Sequence, residues 1–178
     1  MFIWVGIDVD SQLKEIKERT KAIEDELIFE HSNFTLPLHI SLKISFEVKD
    51  EVFQDVIEDI LDIYAKTEPF EIKTEGLSYE NNISWIRMEE NSTLMQLSWK
   101  INDLMRTKYN IPLHEYDLDG KFHTTLFMDA DCQKVKQAYT KIQHIQIPAR
   151  LTAERFVIGV SASGALGTYR IYKTVTKS

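Results

Sequence analysis

The chain has 178 residues, one cysteine and a net charge of −7, with 43% hydrophobic and 28% charged residues. This length fits a single domain, or one domain of two lobes, over residues 1–178. The acidity argues against a protein that coats long duplex nucleic acid, because such binding comes from Lys and Arg neutralising phosphates. Cys132 has no partner for an internal disulfide, and the stretch from Met1 to Asp8 carries neither a basic leader nor a span-length apolar run. A cytoplasmic protein without membrane association is therefore expected.

In chain order, Phe2 to Asp8 reads as a strand with both faces apolar enough to be covered. The polar cluster Asp8-Val9-Asp10-Ser11 offers helix-capping side chains, and Leu13, Ile16, Thr20, Ile23 and Leu27 follow at helical spacing. A loop is expected around Ser32 and Asn33. Leu38 to Val48 alternates as a strand, and Asp50 starts a helix whose inner face carries Val52, Phe53, Val56, Ile57, Ile60 and Tyr64. Strands over Phe70 to Tyr79 and Ile83 to Met88 flank the turn Glu80-Asn81-Asn82.

An amphipathic helix is predicted from Ser92 to Tyr109, then a turn at Asp117-Leu118-Asp119-Gly120, a strand from Lys121 to Met128 and a helix from Asp131 to Gln143. Strands around Leu151 to Val160 and Thr168 to Val175 flank the glycine-containing loop Ser161 to Gly167. Helices alternate with strands, yet the hairpin and the short connections point to antiparallel pairing. The fold class is α+β rather than a doubly wound parallel sheet.

Two of these strands carry chemistry. Along a strand, residues i and i+2 point to the same side, so His39 with Ser41 and His123 with Thr125 each present an imidazole beside a hydroxyl. The residues between them face the sheet's covered side and hold the strand rigid. Breaking a phosphodiester without a metal requires a base for the attacking oxygen and an acid for the departing one. Imidazole suits both roles because it titrates near neutral pH, and the two hydroxyls are placed to donate to non-bridging phosphate oxygens. One His-x-Ser/Thr strand is a weak signal. Two copies among five histidines, both followed by leucine and both in different halves, form a specific one.

These motifs, Leu38-His39-Ile40-Ser41-Leu42-Lys43-Ile44 and Phe122-His123-Thr124-Thr125-Leu126, with the opening Phe2-Ile3-Trp4-Val5-Gly6-Ile7-Asp8-Val9 before a helix, resemble the 2H phosphoesterase superfamily and its 2'-5' RNA ligase-like proteins. The resemblance implies a bilobal fold with pseudo-two-fold symmetry, antiparallel sheets flanked by helices, and a metal-independent site in the cleft between lobes. It implies opening of 2',3'-cyclic phosphates on RNA ends or small nucleotides, and possible 2'-5' joining of RNA. It assigns His39 and His123 as the acid-base pair and Ser41 and Thr125 as phosphate-binding hydroxyls. The second motif departs from the family, which often places a basic residue shortly after it, whereas here Phe127-Met128-Asp129 follow. That departure speaks against a strongly cationic pocket and efficient ligation.

Three further residues are candidates for substrate binding. Lys43 shares the strand face of His39 and Ser41, which leaves it open to a phosphate contact or a solvated role. Lys121, on the face of His123, is a candidate to compensate for the missing basic residue, against a plain strand-edge lysine. Tyr169 adjoins the glycine-containing loop and is a candidate to line the pocket. Trp4, Trp85 and Tyr172 are read as core residues more than base-stacking ones. His31, His114 and His144 have no partner pattern, no metal-ligand spacing is present, and His114-Glu115 with Asp117 and Asp119 reads as a polar turn. No cofactor and a monomeric state are expected. The competing reading is a non-catalytic module that binds phosphorylated RNA ends or nucleotides.

Overall fold

A computed structural model describes residues 1–30, 36–117 and 120–177. The expectations for the loop at Ser32 and Asn33, for His31 and for Leu118 and Asp119 lie outside these residues. Eight strands and four helices follow in the order β1 (Phe2–Asp8), α1 (Lys14–Leu27), β2 (His39–Glu47), α2 (Phe53–Ala65), β3 (Phe70–Glu80), β4 (Ile83–Met88), α3 (Ser92–Tyr109), β5 (His123–Met128), α4 (Cys132–Ile142), β6 (Arg150–Ala153), β7 (Arg155–Ser161) and β8 (Arg170–Thr176). Among them no helix is long and apolar enough to cross a membrane.

The strands form two four-stranded sheets, in the orders β2-β1-β7-β8 and β5-β4-β3-β6, and every pairing is antiparallel. The fold is α+β. β2 and β5, which carry the two motifs, occupy equivalent edge positions and lie against each other. α1 and α3 each pack against the edge strand of the opposite sheet. α1 and α4 pack together and against β5, while α3 packs on β2 and α2 packs on α3 and β8. Buried apolar side chains from both sheets, among them Ile7, Ile40, Ile86 and Leu126, form one continuous cluster.

Several local features differ from simple periodicity, each for a physical reason. The stretch from Leu151 to Val160 is two strands rather than one. It bends at Glu154, so that β6 pairs with β3 in one sheet and β7 with β1 in the other. A strand that changes sheets in this way turns the corner of two packed layers. The Asp8–Ser11 cluster caps no helix. The Asp8 carboxylate accepts from Asp10 N, and the Asp10 carboxylate accepts from Leu38 N and Lys17 Nζ, tying the start of α1 to the segment entering β2. α3 and α4 do have side-chain caps, Asn91 accepting from Leu94 N and Asp131 from Gln133 N.

β2 is the strand that matters for the site, and it is bulged. Phe2 to Asp8 of β1 face Glu47 to His39 of β2 with register shifts between Ile3 and Val5 and between Val5 and Gly6. Each shift adds a residue on β2, which re-aims the side chains beyond it. Leu42 and Lys43 are consequently both buried, although they are neighbours in sequence.

Beside the bulge, the indole of Trp4 lies in a slot made by two glycines. A Cβ on Gly6 would come within 2.5 Å of the Trp4 ring and 2.8 Å of Ile40 O, and one on Gly159 within 2.7 Å of the same ring. Gly6→Ala is therefore expected to lower stability by about 1–3 kcal/mol, the usual cost of overpacking. Urea denaturation reads the effect, and a midpoint equal to that of the unmodified chain would mean that the slot can widen freely.

Candidate active site

The two histidines are held in the same manner. His39 Nδ1 lies 2.8 Å from Pro37 O, and His123 Nδ1 lies 3.2 Å from Lys121 O, in each case the carbonyl two residues upstream. A carbonyl can only accept, so each Nδ1 carries the proton and donates it. In the neutral rings the lone pair is then on Nε2, the nitrogen that the backbone leaves available.

Their surroundings differ. His39 is half-buried, with its ring centroid 4.1 Å from that of Trp4 at an interplanar angle of 60°. His123 is exposed, 5.7 Å from the ring of Trp85 at 48°. Burial pulls the His39 imidazole down to about 4; the bond to Pro37 opposes this and the charge of His123 adds to it. His39 is therefore neutral throughout the physiological range.

Two adjoining cavities border these side chains. The larger, of about 550 Å³, is lined by His39, Ser41 and Thr125 together with Tyr169, Glu30 and Asp129. The smaller, of about 80 Å³, is lined by Ser41, His123 and Lys121. Ser41 and Ile44 line both, so the two cavities lie side by side, with His39 and Thr125 on the larger and His123 on the smaller. Only the larger is of the size that takes small organic ligands, about 300–1,000 Å³. Tyr169 reaches it with its hydroxyl in contact with Ser45 Oγ.

Lys43 is placed differently from both expectations for it. It is neither solvated nor on the cavity wall, because the bulge in β2 turns it inward. Its Nζ pairs with Asp117 Oδ2 at 2.8 Å, with both side chains 1% exposed, and donates to Asn102 Oδ1 at 2.9 Å. Asp117 also accepts from His114 N at 2.9 Å. The carbonyl of Leu42 is satisfied from α3, by Ser98 Oγ at 2.7 Å and Asn102 Nδ2 at 3.4 Å. A buried polar cluster thus fixes the bulge beneath Ser41, and its groups are hydrogen-bonded as burial requires.

Sequence reasoning did not connect Asp117, Asn102 and Ser98 to Lys43, and no local pattern links residues this far apart. It also missed the role of Trp4, whose Nε1 donates to Ser41 Oγ at 2.9 Å. A signal for that one was available. Gly6 and Gly159 interrupt otherwise apolar strands, and a glycine inside a strand marks a close approach by another group. The turn containing His114 is occupied by the Lys43–Asp117 pair, and among the described residues no group of three His, Cys, Asp or Glu is arranged to hold a metal ion.

The model of the 2'-5' RNA ligase superfamily matches residues 8–165. Among solved structures, the chain is similar to E. coli LigT in its apo form, with 17% identity, a TM-score of 0.58 and coverage of 98% of this chain and 95% of that one. It is also similar to TT0787 of Thermus thermophilus, with 14% identity, a TM-score of 0.61 and coverage of 99% and 97%. E. coli LigT complexed with 3'-AMP aligns at 17% identity, a TM-score of 0.55 and coverage of 98% and 96%. Among curated proteins none matches.

Proposed function

The chain belongs to the 2'-5' RNA ligase superfamily, that of the 2H phosphoesterases, and from this premise we propose that it opens 2',3'-cyclic phosphates by metal-independent acid-base catalysis between His39 and His123. The observation that supports the reading is the meeting of β2 and β5 at equivalent edges, with His39, Ser41 and Thr125 on one cavity and His123 with Ser41 on the cavity beside it.

In the proposed step, neutral His39 takes a proton from water on Nε2 while the water oxygen bonds to phosphorus. The bond from phosphorus to one ribose oxygen breaks, and His123, protonated, gives that oxygen its proton. The product is a phosphomonoester. His39 leaves the step protonated and His123 neutral, and exchange with solvent restores both. Ser41 and Thr125 donate to the non-bridging oxygens as charge develops on them.

The asymmetry between the rings supports this direction of use, because the half-buried ring is the one kept free of its extra proton. E. coli LigT has been captured with 3'-AMP and with ATP. A nucleotide is a fitting occupant of the larger cavity by that analogy.

The test is a pH-rate profile for a nucleoside 2',3'-cyclic phosphate in the presence of EDTA. A bell is expected. Because the base must be neutral and burial holds the His39 imidazole down to about 4, the acid limb is expected well below neutral pH; the two apparent values belong to the pair and not to either ring. Tight binding of the substrate with no product after long incubation would instead identify a non-catalytic binding module.

A further inference from the structure

We propose that Trp4 is a positioning residue whose indole N–H fixes the Ser41 hydroxyl as a donor to the substrate phosphate. The inference rests on the reading of Ser41 as a phosphate-binding residue.

The argument begins with what each group is able to do. An indole nitrogen donates and never accepts, whereas a serine hydroxyl has one proton and two lone pairs and adopts either role. The 2.9 Å bond from Trp4 Nε1 to Ser41 Oγ therefore has one possible direction. It occupies a lone pair of Oγ and leaves the Ser41 proton to be donated elsewhere. Ser41 lines both cavities, so the phosphate site is where that proton is useful. A phosphate oxygen carries negative charge and calls for a donor.

The lock is only as good as the rigidity of the indole. Trp4 is 6% exposed. Its ring has the bare backbones of Gly6 and Gly159 along it, both too close to admit a Cβ, and the His39 ring stands 4.1 Å away at 60°. One side chain thus touches the base and the hydroxyl at once. A donor oriented before the substrate arrives spares the site reorganisation in the transition state, which is how such groups accelerate charge-developing reactions. On the opposite edge, Trp85 is the register partner of Thr125, and its ring stands farther from its histidine, at 5.7 Å. The first motif is the more tightly built of the two.

Trp4→Phe retains an aromatic ring and removes the N–H. We expect kcat for a nucleoside 2',3'-cyclic phosphate to fall about tenfold, with KM little changed and the acid limb of the pH profile in place. The decisive measurement is the cycle with Ser41→Ala. The loss caused by Trp4→Phe should disappear when Ser41 is already Ala, since no hydroxyl remains to be oriented.

An unchanged kcat in Trp4→Phe, or an equal loss in both backgrounds, would overturn the proposal. Ser41→Ala with full activity would overturn both the proposal and the reading beneath it. If the unmodified chain turned over no cyclic phosphate, the catalytic reading alone would fail. The same cycle measured on the affinity for a nucleoside 3'-monophosphate would then decide the role of Trp4 by the same criterion. Should Trp4→Phe not fold, replacing the indole at position 4 by isosteric benzothiophene removes the N–H while keeping the shape.

Discussion

Alanine at position 39, or at position 123, is expected to lower kcat for a nucleoside 2',3'-cyclic phosphate by about 10³-fold or more, with the thermal transition of His123→Ala essentially unmoved. Positioned proton transfer typically contributes about 10²–10⁴-fold for each group, and neither motif contains a second group able to replace the one removed. The two losses should not multiply. Once the base is gone, removing the acid has little left to take away, as with other residues that act as a unit. His39→Ala also leaves a hole beside Trp4, so His39→Gln, which keeps a polar side chain there, separates a chemical loss from a packing one. Single-turnover rates in EDTA check the expectation. Activity within tenfold of the unmodified chain for both alanine variants would end the two-histidine account.

Much of this site is readable from the alternation of two short strands. His39 and Ser41 precede the bulges of β2, where period two still holds, and from the other edge strand His123 lines the smaller cavity and Thr125 the larger. The antiparallel α+β class follows from the hairpin and the short connections, and the sheet orders agree with it. Periodicity fails at Lys43, because an inserted residue reverses which face the chain presents and nothing local announces the insertion. Glu154 and Arg155 are a milder case. Two consecutive exposed charged residues break the alternation at the point where the chain leaves one sheet for the other, so the corner left a trace in the sequence that a single-strand reading passes over. The pairing of Lys43 with Asp117 has no such trace, because it is created by tertiary packing alone.

That pair carries the largest stability effect. Lys43→Met is expected to destabilise the fold by about 3–5 kcal/mol, the usual consequence of leaving one charge of a buried pair uncompensated, which in a chain of this size lowers the melting temperature by on the order of 10 °C. The loss comes chiefly from the stranded Asp117 carboxylate, 1% exposed. Asp117→Asn added to Lys43→Met should therefore recover a large part of it, since Asn keeps an oxygen able to accept from His114 N without the charge. The double variant also separates two roles for Lys43. If the lysine only anchors the bulge under Ser41, the refolded double variant retains activity within about tenfold, because the hydroxyl and both imidazoles stay in place. If instead Lys43 swings out to meet the phosphate when substrate binds, stability returns but kcat does not, and the buried ion pair seen here is a resting position of a residue that touches the substrate.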